Sequence, residues 1–285
     1  MPLSSRSLVR GIVIWALMVR VALAAALGPR RHLWLELNGG SSPPMYENNG
    51  GMVLALAGED FALLAADTRL SKGYSILSRQ TSRMWEVFPG VWLGAAGCHA
   101  DATALSIALR RILDDRACSQ GGKIAADSVA QALSALLYQR RGLPYYVFCV
   151  LAGMDSKGQG AVFTFDSIGS YERVAAAAVG SGQAFALPIL DHSLQDAQPS
   201  SEESSEHFQE WSGDNGPTAS RPARVARGLG MESAQETLAR AASAASERDV
   251  RVGDCLQMVR VSMAPKLGGV LVRSERAQDI ALKAH

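Results

Sequence analysis

Residues 48–73 read NNGGMVLALAGEDFALLAADTRLSKG, and two apolar runs inside them decide the fold. Met52–Ala57 and Phe61–Asp67 are almost continuously apolar, the pattern of strands covered on both faces rather than wetted on one. Gly58-Glu59-Asp60 is the turn between them, and Asp67-Thr68-Arg69 ends the second run with polar side chains. Gly51 stands where the first strand begins and brings no side chain to it.

Outward from this hairpin, residues 91–96 form another buried run. Asp101 occupies an N-cap position for a helix whose Leu105, Leu109, Ile112 and Leu113 share one face. A second helix places Val129, Leu133, Leu136 and Leu137 at the same spacing, and Gly142-Leu143-Pro144 stops it. Residues 145–152 and 161–165 read as strands around the turn Asp155-Ser156-Lys157-Gly158. A single strand over 173–179 leads through Gly180-Ser181-Gly182 into a short helix ending near Leu194. A helix over 232–248 and strands at 256–263 and 269–273 complete the series. Helices segregated from runs of strands predict an α+β layered fold, with two stacked sheets each covered by a helix pair.

The first forty residues differ in character from the rest. Arg6 and Arg10 precede an apolar run at 11–19, followed by Arg20 and a second run at 21–27, the outline of a secretory signal. Arg20 opposes that function, because arginine at the centre of a membrane segment costs roughly 2.5–3.5 kcal/mol. The expectation is a leader or propeptide-like extension over residues 1–45, disordered or removed, before a single domain over 46–285. Within that domain, about 195–230 is rich in Ser, Glu, Gly, Pro and Arg. Such a stretch buries too little apolar surface to offset its ordering entropy, and is expected to be a disordered insertion.

Composition narrows the chemistry. At 285 residues, with 48% hydrophobic and 19% charged residues, the chain is that of an ordinary globular protein. A formal charge of +1 supplies no field for nucleic acid or anionic lipid, and no basic stripe with interleaved aromatics is present. The 4 cysteines form no CxxC pair, and the 5 histidines show no zinc spacing, so no metal and no cofactor is expected. Cys98-His99-Ala100-Asp101 suggests a cysteine hydrolase, but triads are assembled from separate segments, and a helix start accounts for it better. Gly180-Ser181-Gly182 is a turn rather than a nucleophile elbow.

Several stretches, in order, carry a resemblance: NNGGMVLALAGEDFALLAADTRLSKGYSI, LLYQRRGLPYYVF, GQGAVFTFDSIGSYER, GSGQAFALPILD and AASERDVRVGD. Together they resemble the proteasome beta subunits, over about 46–194 and 232–272, and within that family a non-catalytic member. The resemblance implies a four-layer αββα sandwich of the N-terminal nucleophile hydrolase type. Active members open the first strand with a threonine whose hydroxyl attacks while its own α-amine serves as base. Carried across, the threonine position is Gly51 and the second-strand aspartate is Asp67. The lysine position is Arg83, which cannot easily release a proton. The oxyanion glycine is Gly97, the late aspartate is Asp249, and a serine is replaced by Val252.

The site so implied is vestigial: a positive pocket without a nucleophile. Structural roles are expected for its members, with Asp67 paired to Arg83 or Arg69, Asp249 to Arg248 or Arg251, and Gly97 permitting a tight turn. The resemblance further implies other beta subunits and alpha-ring subunits as partners in a stacked-ring 20S particle. It implies ATP-dependent, ubiquitin-dependent protein degradation in cytoplasm and nucleus, with neither nucleic acid nor membrane as partner. Two alternatives stand beside it: a hydrolase processed elsewhere, for which Gly40-Ser41 is the candidate, and an exported or membrane-anchored relative using the leader.

Overall fold

A computed structural model describes residues 46–120, 124–197, 225–226, 228–266 and 269–282, with backbone alone for 119–120, 196–197, 264–266 and 269–279. The leader, its candidate Gly40-Ser41 and most of the expected insertion therefore lie outside the described residues. Tyr46–His285 form one compact unit.

The opening hairpin is β1 (Met52–Ala57) and β2 (Phe61–Asp67), paired antiparallel with Leu54 opposite Ala65. Every residue of both strands is buried. The reason is period-2 sorting between two cores. Met52, Leu54 and Leu56 face one cluster, while Val53, Ala55 and Ala57 face another. A leucine so buried contributes about 1.5–3 kcal/mol, so neither face tolerates polar residues.

A small ribbon follows, β3 (Leu70–Lys72) and β4 (Ser75–Ser78), then β5 (Met84–Phe88) and β6 (Val91–Gly97). Helices α1 (His99–Gln120) and α2 (Ala126–Gln139) precede β7 (Val147–Met154), β8 (Gly160–Phe165), β9 (Tyr171–Val174) and β10 (Ala176–Gly180). Helices α3 (Gln183–Ala197) and α4 (Met231–Ser246) precede β11 (Cys255–Lys266) and β12 (Gly269–Ala281). One sheet has the order β10-β1-β2-β11-β12 and the other β5-β6-β7-β8-β9.

Three clusters stack these layers. Leu105, Leu109, Leu113, Leu133 and Leu137 of α1 and α2 pack on Leu93, Cys149 and Leu151. Val53, Leu64, Val150, Val162 and Val259 fill the space between sheets. Leu190, Leu238 and Ala242 of α3 and α4 cover Leu54, Leu63 and Met258. The result is the αββα sandwich. Close approach of the sheets needs Gly94, where a Cβ would lie 2.5 Å from Val53 Cγ1.

Three local expectations are corrected. The strand expected over 173–179 is two strands: β9 pairs with β8, and β10 pairs with β1 in the other sheet. The chain changes sheet at Ala175, whose carbonyl accepts the Ala57 N–H at 2.7 Å. Asp101 is not an N-cap. The helix already starts at His99, and the Asp101 carboxylate accepts the Tyr146 N–H at 2.9 Å, fixing the entry to β7. Residues 195–197, expected to open the insertion, belong to α3 instead.

Candidate functional site

The corner where β1 starts is built by backbone turns. Gly50 and Gly51 have φ of 63° and 86°, in the left-handed region that favours glycine. They deliver the chain into β1 with the Gly51 carbonyl accepting the Ser181 N–H at 2.9 Å and its hydroxyl at 3.3 Å. The Ser181 side chain is thereby committed to backbone.

Asp67, at the end of β2, is fully buried beneath this corner. Its Oδ1 accepts the Met52 N–H at 2.8 Å and its Oδ2 the Gly253 N–H at 3.3 Å. Arg83 Nε lies 3.2 Å from Asp67 Oδ1, an ion pair with both side chains out of solvent. Burial pushes the Asp67 carboxyl up to about 6, against the opposing pull of Arg83 and the two amides.

Arg83 does more than balance charge. A Cβ placed on Gly51 would lie 2.1, 2.2 and 2.4 Å from Arg83 Cζ, Nε and Nη2. The guanidinium therefore fills the volume that a side chain at position 51 would need. It is held there by Nη2 donating to the Asn49 carbonyl at 3.2 Å and to the Arg69 carbonyl. The charge of Arg83 also lowers the pKa of His99, second to the effect of burial.

Gly97 closes β6 with φ 113°, and a Cβ there would meet the Tyr146 carbonyl at 2.6 Å. Asn49 spans the gap between this corner and β3. Its N–H donates to the Gly97 carbonyl at 3.0 Å, its Nδ2 to the Ser71 carbonyl at 3.1 Å, and its Oδ1 accepts the His99 N–H at 3.0 Å. The first amide of α1 is thus capped by a side chain 50 residues away.

The remaining members belong to the loop that follows α4. Asp249 Oδ1 accepts the Arg251 N–H at 3.0 Å and its Nε at 3.3 Å. Val252 is fully buried in the cluster beneath α3 and α4, 3.1 Å from where a Gly182 Cβ would stand. An apolar side chain here seals the core where a hydroxyl would need a partner. The structure thus gathers Gly51, Asp67 and Arg83, with Gly97 joined to them through Asn49. Asp249 and Val252 line the loop that contributes Gly253.

Cys98, His99 and Asp101 share no hydrogen bond among the described residues. Cys98 N–H and Asp101 both serve Tyr146, while the His99 ring lies 5.8 Å from Trp85. Buried Cys149 has its thiol pushed up to about 12, out of reach of reactivity at neutral pH. No group of three metal-ligating side chains occurs among the described residues.

Two features escaped sequence reasoning. Arg69 grips Asp254 with Nε at 2.9 Å and Nη2 at 3.0 Å, and its Nη1 donates to the Val250 carbonyl at 2.7 Å. Arg79 also pairs with Asp254. Asp254 sits at φ 69°, an uncommon conformation for a residue with a side chain, and these contacts hold it there. The bond to Arg69 leads in depressing the Asp254 pKa. Thr68 completes the tripeptide: its hydroxyl donates to the Arg79 carbonyl at 2.7 Å and accepts the Cys255 N–H at 3.1 Å. The other missed feature is Asn49, whose polar amide carried no periodicity to mark it.

A sequence model described as Proteasome subunit matches residues 47–209. The chain belongs to the proteasome subunit family. Among its relatives, proteasome subunit beta type-1 of Oryza sativa subsp. japonica is 37% identical over 223 residues, covering 77% of this chain and 91% of the relative. The protein of that name from Arabidopsis thaliana is 43% identical over 156 residues, covering 54% of this chain and 69% of the relative. That from Danio rerio is 36% identical over 217 residues, covering 76% and 82%. The layered sandwich and the Gly51 corner are therefore those of a proteasome-family chain, and no described helix is long and apolar enough to cross a membrane.

Proposed function

We propose that this chain is a non-catalytic, structural beta subunit of the 20S proteasome core particle. It serves as a ring segment beside other beta subunits and against the alpha ring, walling the chamber in which ATP-dependent, ubiquitin-dependent degradation is completed in cytoplasm and nucleus. One observation carries the reading: the residue just ahead of β1 is Gly51, and the space beside it is filled by the Arg83 guanidinium. Covalent acyl transfer needs an attacking hydroxyl or thiol with a base in reach. Among the described residues, the hydroxyls of Ser181 and Ser71 beside this corner donate to the carbonyls of Gly51 and Asn49. Asp67, Asp249 and Gly97 act in this reading as structural ties, and Val252 as a core side chain.

The test is native mass spectrometry of the tagged chain from its own cells, after treatment with a covalent inhibitor directed at terminal hydroxyl nucleophiles. Co-purification with a multi-subunit ring, adducts on neighbouring chains and an unshifted mass for this one are expected. An adduct on this chain, or its recovery as a lone monomer, overturns the reading.

A further inference from the structure

Beside the Gly51 corner lies a cavity of about 200 Å³ in which Arg251 is the single charged residue among the described lining residues. Gly50 and Gly97 give it backbone walls, Phe148 an apolar wall, and Asn48 and Gln183 polar rims. We propose that this cavity binds a carboxylate carried on a small apolar group, such as the C-terminal residue of a peptide, with Arg251 as its anchor.

The argument begins with how Arg251 is held. Asp249, itself 8% exposed, takes the Arg251 N–H and Nε on one oxygen. The arginine stem runs over Gly50, where an added Cβ would lie 2.7 Å from Arg251 Cβ. Backbone and stem are thus fixed, yet the two terminal nitrogens have no hydrogen-bond partner among the described residues. A guanidinium fork with both terminal nitrogens open is matched by a planar two-oxygen acceptor. Asn48 adds a directed donor: its Oδ1 is taken by the Gly50 N–H at 2.9 Å, which leaves its Nδ2 for a ligand.

Charge and size narrow the ligand. One guanidinium, partly balanced by Asp249, suits a monoanion, and no second cation is among the described lining residues to favour a phosphate dianion. Phe148, 39% exposed, offers a contact for a small apolar side chain. The cavity volume is that of an amino-acid-sized group rather than a nucleotide. None of this depends on whether Gly51 is catalytically silent, so the proposal and the functional reading fail separately.

The experiment uses the full chain in its native assembly and a photoreactive tripeptide ending in alanine, as the free acid and as the C-terminal amide. Mass spectrometry locates labelling on this chain. The acid is expected to label residues around Phe148 at least tenfold more than the amide, and Arg251→Gln to lower that labelling at least tenfold. Asn48→Ala, at an exposed position, is expected to lower it several-fold without disturbing assembly. Competition by N-acetylalanine assigns the site to small carboxylates in general, and its failure assigns it to peptide C-termini; both support the proposal. Equal labelling by acid and amide overturns it, as does equal competition by inorganic phosphate, which would mark a generic anion site. The acid–amide comparison needs no variant and stands even if Arg251→Gln fails to assemble.

Discussion

At Gly51 the absence of a side chain and the position of the Arg83 guanidinium are coupled. A threonine placed at this position would adopt φ 86° with its Cβ inside the Arg83 head group. Gly51→Thr is therefore expected to destabilise by about 1–3 kcal/mol, as overpacking does, and to remain unlabelled by hydroxyl-directed probes. Adding Arg83→Ala removes the colliding Nε, Cζ and Nη2. The double variant should recover part of the loss, with a coupling of about 0.5–3 kcal/mol in thermal unfolding; strictly additive effects would refute the shared-space account. Asp67 makes a pH prediction. Its pKa is about 6 in the folded chain, against 3.8 for an unperturbed aspartate, so the folded state holds the proton more tightly. The linked stability is complete below the unfolded value and is lost as pH rises through the folded one, a swing on the order of 3 kcal/mol. Relative to Asp67→Asn, which does not titrate, the wild-type chain should lose stability in denaturant titrations between about pH 4 and pH 7. A flat difference across that range would show the carboxyl to be unshifted.

Elements owe their ends to contacts that a linear reading does not display. β6 must turn at Gly97 because a Cβ would strike the Tyr146 carbonyl, whereas at Gly142 nothing lies within 4 Å. Gly97→Ala is expected to cost about 2 kcal/mol or more, and Gly142→Ala to stay within about 0.5 kcal/mol of wild type. Circular-dichroism melts of both variants check the contrast, and equal losses would remove the steric explanation. The strands of the first hairpin, the faces of α1 and α2, and the β7–β8 turn were legible from periodicity and turn residues. The change of sheet after β9 was not. Residues 173–179 have one continuous strand-like pattern, and only pairing with β8 on one side and β1 on the other divides it. The ribbon of β3 and β4 and the strand β5 were also missed, being short, half-exposed and interrupted by polar residues.

For the molecule as a whole, stability resides in the middle layer, where both sheets bury residues against each other. Leu64 is fully buried there, and Leu64→Ala is expected to cost about 2–5 kcal/mol. The same truncation at half-exposed Leu143 should be nearly silent. Unfolding of the purified chain measures both, and comparable losses would contradict a dry inter-sheet core. The order of the four helices and the longer strands, and the absence of a side chain at Gly51, were properties of the sequence alone. Hydrophobic spacing and residue identity are local and survive without coordinates. Which arginine meets Asp67, how Arg69 reaches Asp254 across 185 positions, and how Asn49 bridges β3 to α1 were decided only by the tertiary structure. Several arginines were within plausible reach in sequence, and a buried charge accepts the one that packing brings within hydrogen-bond distance.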